Sequence, residues 1–134
     1  CRQEYLSKLS GPLFDRFDIR IDVPPVALSS MMADEKGEPS AAIVERVTRA
    51  QKRQYERQDG LNVRLDGDRL RELASPDAAG QKLLDAIIED GRMTARGFNR
   101  VLRVARTLAD LQARETVGAA DIATALTWRG VSLS

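Results

Sequence analysis

The sequence predicts a mainly α-helical fold, a helical bundle preceded by one β-strand. Hydrophobic residues make up 43% of the 134 residues and charged residues 31%, a balance typical of a folded domain with a core. From residue 40 onward, apolar side chains recur with helical spacing, and glycine, proline and capping residues separate the segments. Residues 17–23 instead alternate apolar and charged side chains, which is the period of a strand.

Residues 1–25 are predicted to end in that strand. A short helical stretch ends at Gly11 and Pro12, the strand follows, and two prolines at residues 24 and 25 end it. A lone strand leaves its backbone groups without partners, so its neighbouring strands are expected elsewhere in a longer protein. The first residue, cysteine rather than methionine, leads to the same expectation of a fragment.

Residues 26–38 have the serine, glycine and acidic content of a linker, and residues 39–134 are predicted to form a helical domain. We expect Ser75 to cap the third helix, Gly91 to end it, and Thr94 to cap the fourth. The predicted helices span residues 40–57, 66–74, 75–91 and 94–113, and a last one runs from Thr116 or Val117 to Trp128.

The composition excludes several kinds of catalytic site. The chain has no histidine, which excludes Ser/His/Asp and Cys/His nucleophile systems, imidazole bases and histidine zinc sites. Cys1 is the single cysteine, so an internal disulfide is excluded as well, and we predict no metal site. No signal peptide or long apolar run occurs, and we therefore expect a cytoplasmic protein that does not enter membranes.

The helix predicted over residues 94–113 carries apolar side chains on one side and arginines on the other. A solvated surface accounts for most of these arginines. Arg96 differs because it lies near the helix start, where free N–H groups and the helix dipole favour an anion. Either a phosphate or a nearby acid such as Asp90 would satisfy it. The arginine side contains Arg92, Arg96, Arg100, Arg103 and Arg106.

Arg16 raises a similar question, because it lies between Asp15 and Asp18 immediately before the predicted strand. One interpretation is a local ion pair in a turn, which contributes little when exposed. The other is an arginine held at the end of a strand and directed at an anion on another subunit. The residues by themselves favour the local ion pair.

Two long runs resemble a known family. Residues 5–19, YLSKLSGPLFDRFDI, and residues 94–111, TARGFNRVLRVARTLADL, are similar to the C-terminal part of the YifB/ComM family of magnesium-chelatase-like AAA+ ATPases. Shorter matches follow in the same order at Asn62, residues 119–122 and residues 125–129, so the resemblance covers nearly the whole chain. It implies that residues 1–25 end an AAA+ core and that residues 39–134 form the helical lid, of the Mg-chelatase C-terminal type.

The resemblance also implies roles for two arginines. Arg16 matches the arginine finger, which reaches the nucleotide of the adjacent subunit in a homo-oligomeric ring, expected to be a hexamer. Arg96 matches the sensor-2 arginine, directed at the nucleotide of its own subunit. ATP and Mg²⁺ are expected in the longer protein. The run G-x-x-x-x-G-K-S/T and the acidic magnesium ligands are absent here, so this chain alone is expected neither to hydrolyse ATP nor to bind it tightly.

Three functions are compatible with these residues. The longer protein is expected to be a DNA branch-migration helicase in recombination and transformation. One alternative is a chelatase-type motor that drives metal insertion or remodels proteins. Another is a stand-alone helical DNA-binding module, with Arg92, Arg100 and Arg103 contacting DNA or a neighbouring subunit. The formal net charge of +1 argues against that module, because it provides no overall attraction for phosphates.

Overall fold

The computed structural model describes residues 11–26 and 37–131, and in these ranges the regular structure is helical. A four-residue helix, α1, precedes an irregular stretch that reaches residue 26. The bundle follows from residue 40. The helices are α1 (Gly11–Phe14), α2 (Ser40–Gln58), a 3-10 turn (Asn62–Arg64), α3 (Gly67–Leu73), α4 (Ala78–Glu89), α5 (Ala95–Leu111) and α6 (Ala119–Trp128).

Helix α5 is the centre of the bundle. Helices α2, α3 and α6 and the 3-10 turn pack against it, and α4 packs against α6. Burial of each leucine or isoleucine side chain in such a core contributes about 1.5–3 kcal/mol. The predicted mainly helical fold is confirmed, because the regular structure of the described residues consists of these packed helices. The core contains Leu65, Leu70, Ala74, Leu84, Ile87, Val101, Leu102, Ala105, Ala109, Val117, Ile122, Ala125 and Leu126.

Two of the predicted helix ends are confirmed. The Thr94 hydroxyl accepts a hydrogen bond from the Gly97 amide at 3.0 Å, which caps α5. Gly91 follows α4 with a φ of +65°, the left-handed conformation that ends many helices. Both ends are set by contacts within three residues, so the local sequence was sufficient to predict them.

The predicted start of α4 at Ser75 is wrong. The cap is Asp77, whose carboxylate accepts a hydrogen bond from the Gly80 amide at 2.7 Å. The Asp77 amide donates to the Val117 carbonyl at 2.8 Å, and Pro76 forms a parallel bridge with Val117. This pairing keeps the backbone before Ala78 extended, so the cap and the helix start lie two residues later than predicted.

The last helix also begins later than predicted, at Ala119 rather than at Thr116 or Val117. Gly118 is its N-cap residue, and the carboxylate of Asp121 accepts a hydrogen bond from the Gly118 amide at 2.9 Å. Val117 is buried in the core instead. The Asp121 carboxylate in the first turn therefore satisfies the backbone amide of the N-cap residue.

The strand predicted over residues 17–23 is not formed in the described part of the chain. These residues have no regular structure and no neighbouring strand, and their apolar side chains are exposed, with Ile21 at 70% and Val23 at 86%. The Arg20 amide donates instead to the Trp128 carbonyl at 2.7 Å, at the end of α6. Without a partner strand, the alternating pattern has no sheet to join.

Among the described residues, none of the helices combines the length and the apolar character that crossing a lipid bilayer requires.

Candidate functional site

Residues 15–17, which follow α1, contact the start of α5 and the end of α6. Asp15 accepts a hydrogen bond from the Arg129 guanidinium at 2.5 Å and another from the Thr94 hydroxyl at 3.2 Å. Arg129 also donates to the Phe17 carbonyl at 3.2 Å. We call residues 15–20 the docked segment, because these contacts attach it to the helical bundle.

Further contacts hold the other end of the docked segment. Asp18 forms an ion pair with Arg100 of α5 at 2.5 Å. The Arg20 guanidinium donates to the Arg129 carbonyl and lies over the Phe14 ring, 5.2 Å from its centroid. The segment is thus attached to the bundle both before and after Arg16.

Two glycines make room for this arrangement. A Cβ on Gly97 would lie 3.1 Å from Nη2 and 3.2 Å from Nε of Arg129, so the guanidinium passes over the first turn of α5 in space that glycine leaves. Gly130 has a φ of +78°, and a Cβ there would lie 3.4 Å from Cζ of Arg20. A side chain at Gly97 would require the Arg129 guanidinium to shift, whereas at Gly130 it is the left-handed φ that disfavours any other residue.

Arg16 itself is exposed, and its side chain forms no ion pair or hydrogen bond with residues in the described ranges. The local ion pair that the sequence favoured is absent there because both neighbouring acids are used elsewhere. Asp15 pairs with Arg129, and Asp18 pairs with Arg100. Arg16 therefore stands between two paired acids with its guanidinium directed into solvent.

Arg96 resembles Arg16 in its exposure and in its lack of a partner among the described residues. It is exposed in the first turn of α5 and forms no ion pair or hydrogen bond with the residues that the structure describes. Asp90, the acid considered as its partner, pairs with Arg92 at 2.6 Å instead. The backbone amides of Ala95 and Arg96 likewise have no acceptor in the described part of the chain, as expected for the start of a helix. The first turn of α5 thus presents a guanidinium and two N–H groups to solvent.

The structure brings Arg16 and Arg96 to the same end of the bundle. Asp15, next to Arg16 in the chain, contacts Thr94, two residues before Arg96. Each of these two exposed guanidinium groups is suited to binding an anion such as a phosphate.

The other arginines of α5 have internal partners. Arg100 pairs with Asp18, and Arg103 donates from Nε to the Leu65 carbonyl at 2.6 Å. Both side chains are half-buried, whereas Arg92 is exposed and paired with Asp90. A role of these three arginines in contacting DNA or another subunit stays a prediction.

Arg106 is not part of a solvated surface, contrary to the sequence expectation, since only 2% of it is exposed. It lies in the last two turns of α5 and donates to the carbonyls of Arg114 (2.5 Å) and Glu115 in the loop that follows the helix. It also pairs with Asp110 at 3.1 Å. Burial lowers the pKa of the Arg106 guanidinium, and the charge of Asp110 opposes that effect.

Asp110 is the centre of this buried polar network. Its two carboxylate oxygens accept hydrogen bonds from the Arg57 guanidinium at 2.6 and 3.0 Å. The side-chain amide of Asn62 donates to Oδ2 of Asp110 at 2.8 Å. The Asn62 backbone amide donates to the Gln54 side chain at 2.9 Å. The network joins α2 and the 3-10 turn to α5, so Arg57 and Arg106 have structural roles.

Sequence reasoning missed Arg129, which contacts three parts of the docked segment. It is 114 residues from Asp15 in the chain, and no local pattern links positions so far apart. A sequence signal did exist for Arg106, because Asp110 follows it at the four-residue spacing typical of helical ion pairs.

Among the described residues, no three His, Cys, Asp or Glu side chains lie together as metal ligands would.

Comparison with known proteins identifies the family. Residues 37–129 match the family described as magnesium chelatase, subunit ChlI C-terminal. The chain belongs to this family. Residues 1–31 match a second description, magnesium chelatase, subunit ChlI. The boundary between the two matches falls within the segment predicted to be a linker.

Curated relatives match along almost the whole chain. The uncharacterized protein YifB of Salmonella typhimurium is 37% identical over 132 residues, which is 95% of this chain and 25% of the relative. YifB of Escherichia coli is 32% identical with the same coverage. The competence protein ComM of Haemophilus influenzae is 31% identical over 95% of this chain and 25% of its own length. The chain therefore spans about a quarter of the length of these relatives.

Proposed function

We propose that this magnesium-chelatase-like chain is the C-terminal, nucleotide-sensing part of a ring-forming AAA+ ATPase. The observation that supports this proposal most directly concerns Arg16 and Arg96. Both match family positions that approach nucleotide phosphates, and both have exposed guanidinium groups without a partner among the described residues. Their neighbours in the same segments are engaged in internal ion pairs.

The chemistry required of these residues is electrostatic. ATP, when bound in the longer protein, supplies the γ-phosphoryl group whose transfer to water drives the motor, and Mg²⁺ is assigned to ligands outside the described residues. Arg16 is proposed to extend toward the phosphates on the adjacent subunit of a homo-oligomeric ring, a hexamer in this proposal. Its planar fork of donors stabilises negative charge that develops during the transfer. Arg96 is proposed to contact the phosphates on its own subunit.

Replacing Arg96 with alanine in the longer protein should raise the Kd for ATP about tenfold or more, because one charge-assisted hydrogen bond to phosphate is lost. Titration with a slowly hydrolysed ATP analogue measures the Kd directly. Arg96→Lys should recover only part of the affinity, since lysine retains the charge but not the fork.

The matched control for this titration is Arg49→Ala. Arg49 is an exposed arginine in α2 whose partner is Glu45, far from the start of α5 in the chain. Its removal should leave the Kd unchanged. An Arg96→Ala protein with the Kd of the Arg49→Ala control would contradict the sensor role.

We further propose that the longer protein is a DNA branch-migration helicase. Support comes from the 31% identity to a relative whose name assigns it to competence. Branched DNA should then stimulate its ATP hydrolysis, measured as phosphate release with and without a four-way junction. Stimulation by a porphyrin and Mg²⁺ but not by DNA would contradict this proposal and favour a chelatase-type motor, as the family description indicates.

A further inference from the structure

We propose that Arg129 is the positioning residue for Arg16: it fixes the docked segment to the helical bundle, so that movement of the bundle moves the finger. This inference rests on the proposed function. Arg129 does not approach the phosphates in this arrangement. It acts through Arg16, from the end of α6.

The Arg129 guanidinium holds the docked segment at two points, and we call this pair of contacts the clamp. Only 6% of its side chain is exposed, and one guanidinium binds both the Asp15 carboxylate at 2.5 Å and the Phe17 carbonyl at 3.2 Å. These two acceptors flank Arg16 in the chain. A single side chain of the bundle therefore holds the carboxylate before the proposed finger and a backbone carbonyl after it.

A second ion pair limits the remaining freedom of the segment. Asp18 binds Arg100 of α5 at 2.5 Å, and the Arg20 amide is bound to the Trp128 carbonyl at 2.7 Å. The Asp18–Arg100 pair is more exposed, with 47% of the Asp18 side chain accessible. Exposed pairs contribute little, so we assign the larger part of the attachment to Arg129.

The same contacts link the docked segment to the helix that carries Arg96. Asp15 accepts a hydrogen bond from Thr94, which also caps α5. The Arg129 guanidinium lies against Gly97 in the first turn of that helix. A displacement of the start of α5, as expected when Arg96 gains or loses a phosphate partner, is therefore transmitted to Arg16 through Asp15 and Arg129.

The first test measures the clamp in this chain, independently of ATP. Arg129→Gln should increase hydrogen exchange of the Arg20 amide about tenfold or more, since a charge-assisted contact that holds the segment is lost. Asp15→Asn should have the same effect and serves as a second variant if Arg129→Gln does not fold. Exchange of the core amides of α4, Leu84 and Ile87, should not change.

The control is Arg69→Gln. Arg69 pairs with Glu72 at 3.0 Å on the surface of α3, where 53% and 66% of the two side chains are exposed, and it makes no contact with residues 15–20. Its loss should leave exchange at Arg20 unchanged, because an exposed ion pair contributes little to stability. Equal exchange at Arg20 in the Arg129→Gln and Arg69→Gln proteins would overturn the clamp, whatever the ATPase activity.

The second test asks whether Arg129 acts through Arg16 in the longer protein. Arg129→Gln should lower kcat for ATP hydrolysis about 10–100-fold and leave the KM for ATP within about twofold, because misplacement of a catalytic group costs rate. In an Arg16→Ala background the same substitution should have almost no further effect.

The outcomes distinguish the two proposals. An Arg129→Gln effect of equal size in both backgrounds, or a kcat equal to that of Arg69→Gln, overturns the positioning role and leaves the proposed function intact. An Arg16→Ala protein with unchanged kcat contradicts the proposed role of Arg16 as an arginine finger. Hydrogen exchange at Arg20 then still tests whether Arg129 holds the docked segment.

Discussion

Replacing Arg16 with alanine in the longer protein should lower kcat for ATP hydrolysis by ~10³ or more, because an arginine supplied to a phosphoryl-transfer site stabilises charge in the transition state. The structure supports this expectation in one specific way. Arg16 is the cation of the docked segment that is left without an internal partner among the described residues, while Asp15 and Asp18 are both engaged. The rate is measured by phosphate release at saturating ATP.

Arg16→Lys should restore little of the rate, since an ammonium group cannot reproduce two parallel hydrogen bonds to phosphate oxygens. Arg53→Ala is the matched control, because Arg53 is an exposed arginine of α2 with no ion pair in the described ranges. It should retain full activity. A kcat for Arg16→Ala similar to that of Arg53→Ala would show that Arg16 is not the finger.

Asp110→Ala should lower the free energy of unfolding of this chain by about 3–5 kcal/mol, because it leaves buried Arg106 without its counter-charge. Only 1% of the Asp110 side chain is exposed, and it binds Arg57 and Arg106 together. Such a loss is a large fraction of the stability of a typical domain. Urea unfolding followed by circular dichroism measures it.

Glu45→Ala provides the control for stability. Glu45 also pairs with an arginine, Arg49, but 69% of its side chain is exposed. Its loss should cost less than about 1 kcal/mol. If Asp110→Ala costs no more than Glu45→Ala, the buried network is not what joins α2 to α5.

The helices could be predicted because the information that forms them is local. Helical spacing of apolar residues predicted the five helices from α2 to α6, and Thr94 and Gly91 act within a few residues of their own positions. The short helix α1 was not predicted, because the glycine and proline at its start were interpreted as the end of a preceding helical stretch outside the described residues. Errors arose where a distant backbone group intervened. The start of α4 shifted because Val117, about forty residues away in the chain, pairs with Pro76 and Asp77.

The candidate site was predicted only in part, for the same physical reason. The resemblance predicts roles for Arg16 and Arg96, and these roles stay predictions. Their surroundings depend on contacts across the chain, such as Asp18 with Arg100, 82 residues apart, and Asp15 with Arg129. Periodicity within one helix cannot reveal which of its arginines have such partners. It therefore assigned Arg106 to the surface, although it lies in the core.

The most direct test of the central claim is activity in mixed rings of two inactive variants of the longer protein. One variant is Arg16→Ala, and the other lacks the lysine of the G-x-x-x-x-G-K-S/T run that an AAA+ core carries. If Arg16 acts on the adjacent subunit, mixing should restore ATP hydrolysis well above either variant alone. An intact finger then faces an intact nucleotide site at some interfaces. Mixed rings that form but stay inactive at every ratio would contradict the account.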